Sequence, residues 1–208
     1  MPINFPDSPT VGQVFSSGSR SWICVSAPPS VIIWDPIGSP VTELKTWMAY
    51  ENQPPSSNWA PRDTRGGIEV LDFVDTGNTA AIFAALIPQG ANLSGGLQVE
   101  ALWSCATDTN TTRTVGWLVD MQSISPGGLD VDNAETTWGT TKTIPLATVP
   151  SVSGVTKASF VSFTQLELPS GLSPGQILRV RIRRDPADDA VGDVELYSLR
   201  ATILSLAV

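Results

Sequence analysis

The sequence predicts an all-β fold of two packed antiparallel sheets. Three observations predict it: short runs in which apolar and polar residues alternate, Gly- and Pro-bearing turns between those runs, and good helix formers never gathered for long at helical spacing. Composition agrees, with 41% hydrophobic but only 15% charged residues and 17 each of Gly and Pro. A chain of 208 residues suffices for one β domain with a real core plus a short extension.

The first element is an N-terminal segment, residues 1–43, that carries Pro2, Pro6, Pro9, Pro28, Pro29, Pro36 and Pro40 around two apolar runs, Ser21–Val25 and Val31–Trp34. Prolines this dense are expected to prevent an autonomous core and to permit an extended arm or a small β-ribbon. From Val41 to Gly67 the chain reads as a Trp-bearing connection, too long for a simple turn. It is expected to lie across the sandwich, its aromatic residues covering an open sheet end. The second domain is accordingly placed at 44–208.

Eight strands are predicted after Gly67, near 68–74, 80–87, 96–104, 113–122, 140–147, 155–168, 176–184 and 193–206. Alternation is clearest at Leu97, Val99, Ala101 and Trp103, which oppose Gln98, Glu100 and Ser104. Pro88-Gln89-Gly90, Ser125-Pro126-Gly127-Gly128, Pro169-Ser170-Gly171 and Ser173-Pro174-Gly175 have the chemistry of loops at sandwich ends. The last two strands form a hairpin: Val180 and Ile182 point away from Arg179, Arg181 and Arg183, and an acidic turn, Asp185 to Asp193, joins them to Val194–Leu199.

Net charge is −8, from 12 basic and 20 acidic side chains, and the basic residues cluster only at Arg179–Arg184, where acids follow at once. Nucleic acid is not expected as a partner, because phosphate binding needs a basic footprint. The longest uncharged run, Thr76–Val99, is broken by Gly, Pro and Asn, so no membrane span is predicted. No basic segment followed by an apolar one opens the chain, so folding in a cytoplasm is expected. Cys24 and Cys105 show no metal-ligand spacing and read as two buried thiols.

Several phrases carry a resemblance. Glu51-Asn52-Gln53-Pro54-Pro55, Asp63-Thr64-Arg65, Val70-Leu71-Asp72-Phe73, Ala80-Ala81-Ile82-Phe83, Leu86-Ile87-Pro88, Gly95-Gly96-Leu97 and the closing Arg179–Asp185 with Gly192-Asp193 resemble a jelly-roll module of tailed-phage structural proteins, over roughly residues 44–206. The opening Pro2–Gln13, with Gly18 and Trp22 after it, is similar to a leader found at the start of many phage tail-fibre and virion proteins. The resemblance implies an eight-stranded antiparallel jelly-roll sandwich preceded by an extended N-terminal arm or small β-ribbon, and a part of the virion.

Catalysis is not expected. The chain has no His, the usual base of nucleophilic sites and the commonest metal ligand. A glycoside-cleaving carboxylate pair would have to come from Asp108, Asp120, Asp130, Asp132 and Glu135, which fall near strand ends and turns where solvated acids are ordinary. Asp130–Glu135 has alternating oxygen ligands but lacks the glycine and distal glutamate of a calcium loop. The acidic turn reads as charge compensation, in exposed pairs, for Arg179, Arg181, Arg183 and Arg184. No cofactor or metal is assigned.

Of the seven tryptophans, Trp103 and Trp117 sit inside strand patterns and are expected in the core. Trp47, Trp59 and Trp138 lie in loop-like contexts, as sugar-stacking faces or as subunit contacts. The expected function is that of a non-enzymatic virion protein, best a capsid-decorating cement protein assembled in the host cytoplasm. Its partners would be itself, as a homotrimer by the phage resemblance, and the major capsid or other virion proteins. Phe5, Trp22, Ile23, Ile32, Ile33, Trp34, Trp47 and Trp59 are the expected attachment and interface residues. The alternative is a tail or head fibre module that binds a host receptor or surface glycan.

Overall fold

A computed structural model of the chain describes residues 5–17, 20–26, 32–37, 42–75, 79–125, 127 and 137–204. The chain divides into two compact units, one holding the residues up to Thr42 and one spanning Glu43–Leu204. In the first, β1 (Val14–Ser17), β2 (Arg20–Ser26) and β3 (Ile33–Ile37) form an antiparallel sheet in that order. Pro36 is tolerated because β3 is an edge strand.

That unit has more of a core than its prolines predict. The Phe5 ring lies 5.2 Å from Phe15, 5.3 Å from Trp22 and 5.2 Å from Trp34, and Phe15 lies 6.0 Å from both tryptophans. Four aromatic rings supply the apolar surface around which the ribbon orders.

The second unit begins with β4 (Thr42–Met48), a 3-10 turn Ala49–Glu51 and β5 (Arg62–Arg65). Then come β6 (Ile68–Phe73), β7 (Ala80–Leu86), β8 (Leu97–Cys105), β9 (Thr114–Ile124), β10 (Lys142–Thr148), β11 (Lys157–Phe163), β12 (Ile177–Arg184) and β13 (Val194–Ile203). The last eight are the predicted strands. They wrap as a jelly roll: β10-β9-β12-β7 make one sheet and β11-β8-β13-β6 the body of the other, so consecutive strands pass between sheets except at β9–β10. β12 and β13, expected as a hairpin, are neighbours in sequence that pair with other strands in different sheets.

Two strands are additional to the expected eight, because the 41–67 connection is partly strand. β5 extends the larger sheet beyond β6, and β4 pairs with β13. Between them the chain seals the edge of β7: Gln53 N–H donates to the Ile82 carbonyl, Ile82 N–H to Asn52 Oδ1, and Ala60 N–H to the Ala80 carbonyl. The segment meant to cover a sheet end closes a strand edge instead, where unpaired backbone would otherwise be exposed. At the opposite edges Lys142 Nζ of β10 donates to the Ser162 carbonyl of β11, and Lys157 Nζ of β11 donates to the Thr148 carbonyl of β10.

The core lies between the sheets. Leu97, Val99, Ala101 and Trp103 of β8, Trp117, Val119 and Met121 of β9, and Leu178, Val180 and Ile182 of β12 all enter it. A register shift between Leu196 and Ser198 lets β13 bury Val194 and Leu196 before the bulge and Leu199, Ala201 and Ile203 after it. Predicted strand 155–168 stops at Phe163 because Gln165–Glu167 forms a 3-10 turn, capped where Glu167 accepts from the Thr164 N–H and hydroxyl. Cys24 and Cys105 are both buried, and burial pushes the Cys105 thiol up to about 11. Among the described residues no helix is long and apolar enough to cross a membrane.

Candidate functional site on the outer face of the four-stranded sheet

Because Leu178, Val180 and Ile182 enter the core, alternation sets Ile177, Arg179, Arg181 and Arg183 on the outer face of β12. Register then lays out four rows across β7, β12 and β9. They are Leu86–Ile177–Ile124, Ala84–Arg179–Gln122, Ile82–Arg181–Asp120 and Ala80–Arg183–Leu118.

The charged rows are internally bonded. Asp120, 0% exposed, accepts from Arg181 Nε at 2.9 Å and Arg183 Nη2 at 3.0 Å, and the Thr141 hydroxyl also donates to it. Two guanidinium partners and a hydroxyl compensate the desolvation of this carboxylate. Arg179 donates to Gln122 Oε1 at 2.6 Å, and Gln122 Nε2 donates to the Thr137 carbonyl and hydroxyl. Trp138, next along, is half-buried, with the guanidinium carbons of Arg179 and Arg181 at 5.1 and 4.4 Å from its ring centroid. Cation–π attraction of this kind contributes about 0.5–1 kcal/mol at an exposed site.

The first row differs. Leu86 is 63% and Ile177 39% exposed, with Ile124 half-buried beside them, so an apolar strip crosses three adjacent strands next to the arginines. Both oxygens of Asp120 are engaged, Oδ1 by the Thr141 hydroxyl and Oδ2 by the two guanidinium groups.

The other expected residues fall as follows. Asp108 is buried and pairs with Arg113 at 3.3 Å. Burial pushes its carboxyl up, but the backbone N–H groups of Val191 and Asn110 and the Arg113 guanidinium outweigh that and hold it below the usual range. Asp130, Asp132 and Glu135, and with them the calcium-like run, lie outside the described residues. In the acidic turn, Arg184 and Asp188 do pair, but as a buried pair rather than an exposed one, with side chains each 4% exposed.

Phe5, Trp22 and Trp34 come together in the first unit, where Ile23 and Ile32 are half-buried; the Ile33 side chain lies outside the described residues. Trp47 corrects an expectation. It is 1% exposed, packs on Phe83 and donates its indole N–H to the Ala84 carbonyl, so its surface is spent in the core of its own subunit. Trp59, by contrast, is 53% exposed, next to the β7 edge. Trp103 and Trp117 are core residues at 0% exposure.

Sequence reading missed Gln122, Thr141 and the apolar row. One signal was present: Ile177 shares its strand parity with the three arginines, which sets it on the same face. The pairing of Asp120 with β12 had no such local signal.

No family model matches the chain, and no curated protein matches it. Solved structures do. The xylan-binding module CBM15 is 11% identical at a TM-score of 0.45, over 81% of this chain and 99% of that one. An exo-beta-1,3-galactanase from Phanerochaete chrysosporium is 10% identical at 0.44, over 87% of this chain but 32% of the galactanase chain. A chain of infectious bursal disease virus Gt strain is 13% identical at 0.35, over 96% of this chain and 42% of that chain. At such identities and scores these likenesses carry no argument about activity. What defines the class is the strand order itself: the protein is a jelly-roll β-sandwich.

Proposed function

We propose that this chain is a non-enzymatic structural protein of a phage virion, specifically a capsid-decorating cement protein that self-associates and binds the major capsid or another virion protein. The observation that carries this reading is the outer face of the four-stranded sheet. Its carboxylate is already neutralised, its arginines are held in place, and its end is an exposed apolar row at Leu86, Ile177 and Ile124. Arg and Trp beside aliphatic residues are the composition of interface centres.

Covering that row would contribute on the order of 1–2 kcal/mol per side chain, and several copies in a trimer would multiply weak contacts into firm attachment. The first unit supplies a second attachment element, with Phe5, Ile23, Ile32, Ile33 and Trp34 around a Trp22 that is itself buried, and Trp59 a further contact. The phage-like phrases of the sequence support the virion, and assembly in a host cytoplasm follows from it.

Co-sedimentation with particles tests the reading. The full chain should sediment with them and a chain lacking residues 1–40 should not, while keeping its β-sheet circular dichroism. Ile177→Asp should lower the mass measured by light scattering. Retained binding by the truncation, together with a monomeric wild type, would sink the proposal.

A second reading, a fibre module that binds a host surface glycan, is favoured by one observation: Trp138 is laid against Arg179 and Arg181 with Gln122 and Asp120 alongside. An aromatic ring with adjacent polar groups suits a sugar face. A glycan panel bound by the wild type and lost in Trp138→Ala would establish it.

A further inference from the structure

On the opposite sheet, register places Asp72 of β6 directly across from Glu195 of β13. Side chains so paired stand about 5 Å apart at Cβ, on one face. Glu195 is 5% exposed and both its oxygens are engaged: Oε1 accepts from Arg65 Nη1 at 2.7 Å and Oε2 from the Ser104 hydroxyl at 2.7 Å, with the Tyr197 hydroxyl 3.1 Å from Ser104 Oγ. Asp72 has no such support. Its Oδ1 is buried without a hydrogen-bond partner among the described residues.

We propose that Asp72 and Glu195 form a proton-operated brace between β6 and β13. With a proton on Asp72, its hydroxyl donates to the Glu195 carboxylate and both groups are satisfied; when that proton leaves to solvent, two carboxylates oppose each other across the strand pair. The charged surroundings fit. Asp63 comes from β5, and Asp193 from the turn before β13, both adding negative charge. Arg65, from the end of β5, is the compensating cation, and it is bonded to Glu195. From the 3-10 turn packed on β6, Glu51 is occupied by Lys45 at 2.8 Å. Burial, then repulsion from Asp63, Asp193 and Glu195, pushes the Asp72 carboxyl up to about 6, against the pull of Arg65.

The sign follows from linkage. A carboxyl raised on folding holds its proton more tightly in the folded state, so its penalty is fully present above about 6 and disappears as pH falls towards the unfolded value near 3.8. A separation of that size corresponds to about 100-fold in the folding equilibrium, and solvent screening at this half-buried group reduces it to roughly tenfold.

The experiment compares denaturant midpoints of the full wild-type chain and Asp72→Asn at pH 5 and pH 8. Between those values the wild type should lose stability relative to Asp72→Asn, by at most about tenfold in folding equilibrium, because at pH 5 only part of the linkage is realised. Carbon-detected NMR titration of the wild-type Asp72 carboxyl should give a midpoint well above the ordinary range, about 3.9, and decides the matter even if the variant does not fold. Glu195→Gln should bring that midpoint down. A wild-type midpoint in the ordinary range, equal pH dependence of the two proteins, or a midpoint unmoved by Glu195→Gln would overturn the brace.

Discussion

Arg184 and Asp188 close the β12–β13 turn as a bidentate pair, Nε donating to Oδ2 at 2.6 Å and Nη2 to Oδ1 at 2.8 Å. The same guanidinium donates to the carbonyls of Phe73, Ala190 and Gly192. One side chain thus ties the acidic turn to the end of β6, and its charge and five N–H groups find partners away from water.

Arg184→Met should therefore lower stability by about 3 kcal/mol, because it leaves Asp188 buried without its cation and three carbonyls without a donor. Arg184→Lys should recover little of the loss, since an ammonium cannot reproduce the planar fork. Thermal unfolding of the two variants against wild type checks both statements.

Asp120→Asn should cost about 2 kcal/mol. It leaves Arg181 and Arg183 without their shared anion, and their side chains are only 20% and 25% exposed. Urea midpoints measure the loss. The double variant Asp120→Asn with Arg183→Met should be less destabilised than the sum of the single changes, because the three groups act as one unit.

Gly96→Ala should prevent normal folding or cost at least about 3 kcal/mol. Gly96 has φ +86°, where side chains are strained, and an added Cβ would stand 1.9 Å from the Phe163 carbonyl oxygen, which is backbone and has nowhere to move. Soluble yield and melting temperature report it. Gly66→Ala, at φ +58° with open space around it, should be much milder.

Acid should destabilise the fold by a separate route. The hydrogen bond from Lys142, then those from the Thr164 backbone and hydroxyl, hold Glu167 down to about 2, and Asp108 and Asp189 are also lowered. Depressed carboxyls contribute stability above their unfolded values that is lost as pH falls through their folded ones. Stability should therefore fall as pH drops from 4.5 towards 2, and Lys142→Met should flatten that fall. With Asp72 acting in the opposite sense down to its unfolded value, denaturant midpoints should peak at about pH 4 to 5.

β7 is apolar along its length and buries Ala80–Phe83 on both faces, whereas β8, β11 and β12 were legible because each buries one side of an alternating run. Leu97–Trp103 and Val180–Ile182 display that pattern locally, and the turns between strands have their own chemistry. β4 was not legible: Thr42–Met48 mixes charged and apolar residues without clean alternation, and Trp47 reads as a loop aromatic until Phe83 and the Ala84 carbonyl are seen beside it. The 3-10 turn after Phe163 was hidden for a similar reason, since its reciprocal Thr164–Glu167 bonds sit inside what reads as a continuing strand.

By itself the sequence determined the all-β class, the alternating strands and the outward row of arginines, but not the pairing of the last two strands, which read as a hairpin and lie in different sheets. Alternation is a local property, and any chain that buries one side of a strand must display it. Only the tertiary structure decided what those outward residues meet. That Asp120 rather than the acidic turn holds Arg181 and Arg183, that Asp72 faces Glu195, and that Leu86, Ile177 and Ile124 join into one row all depend on strand order and register. Those are set by packing between segments far apart in the chain, where a shift of one residue would exchange every partner.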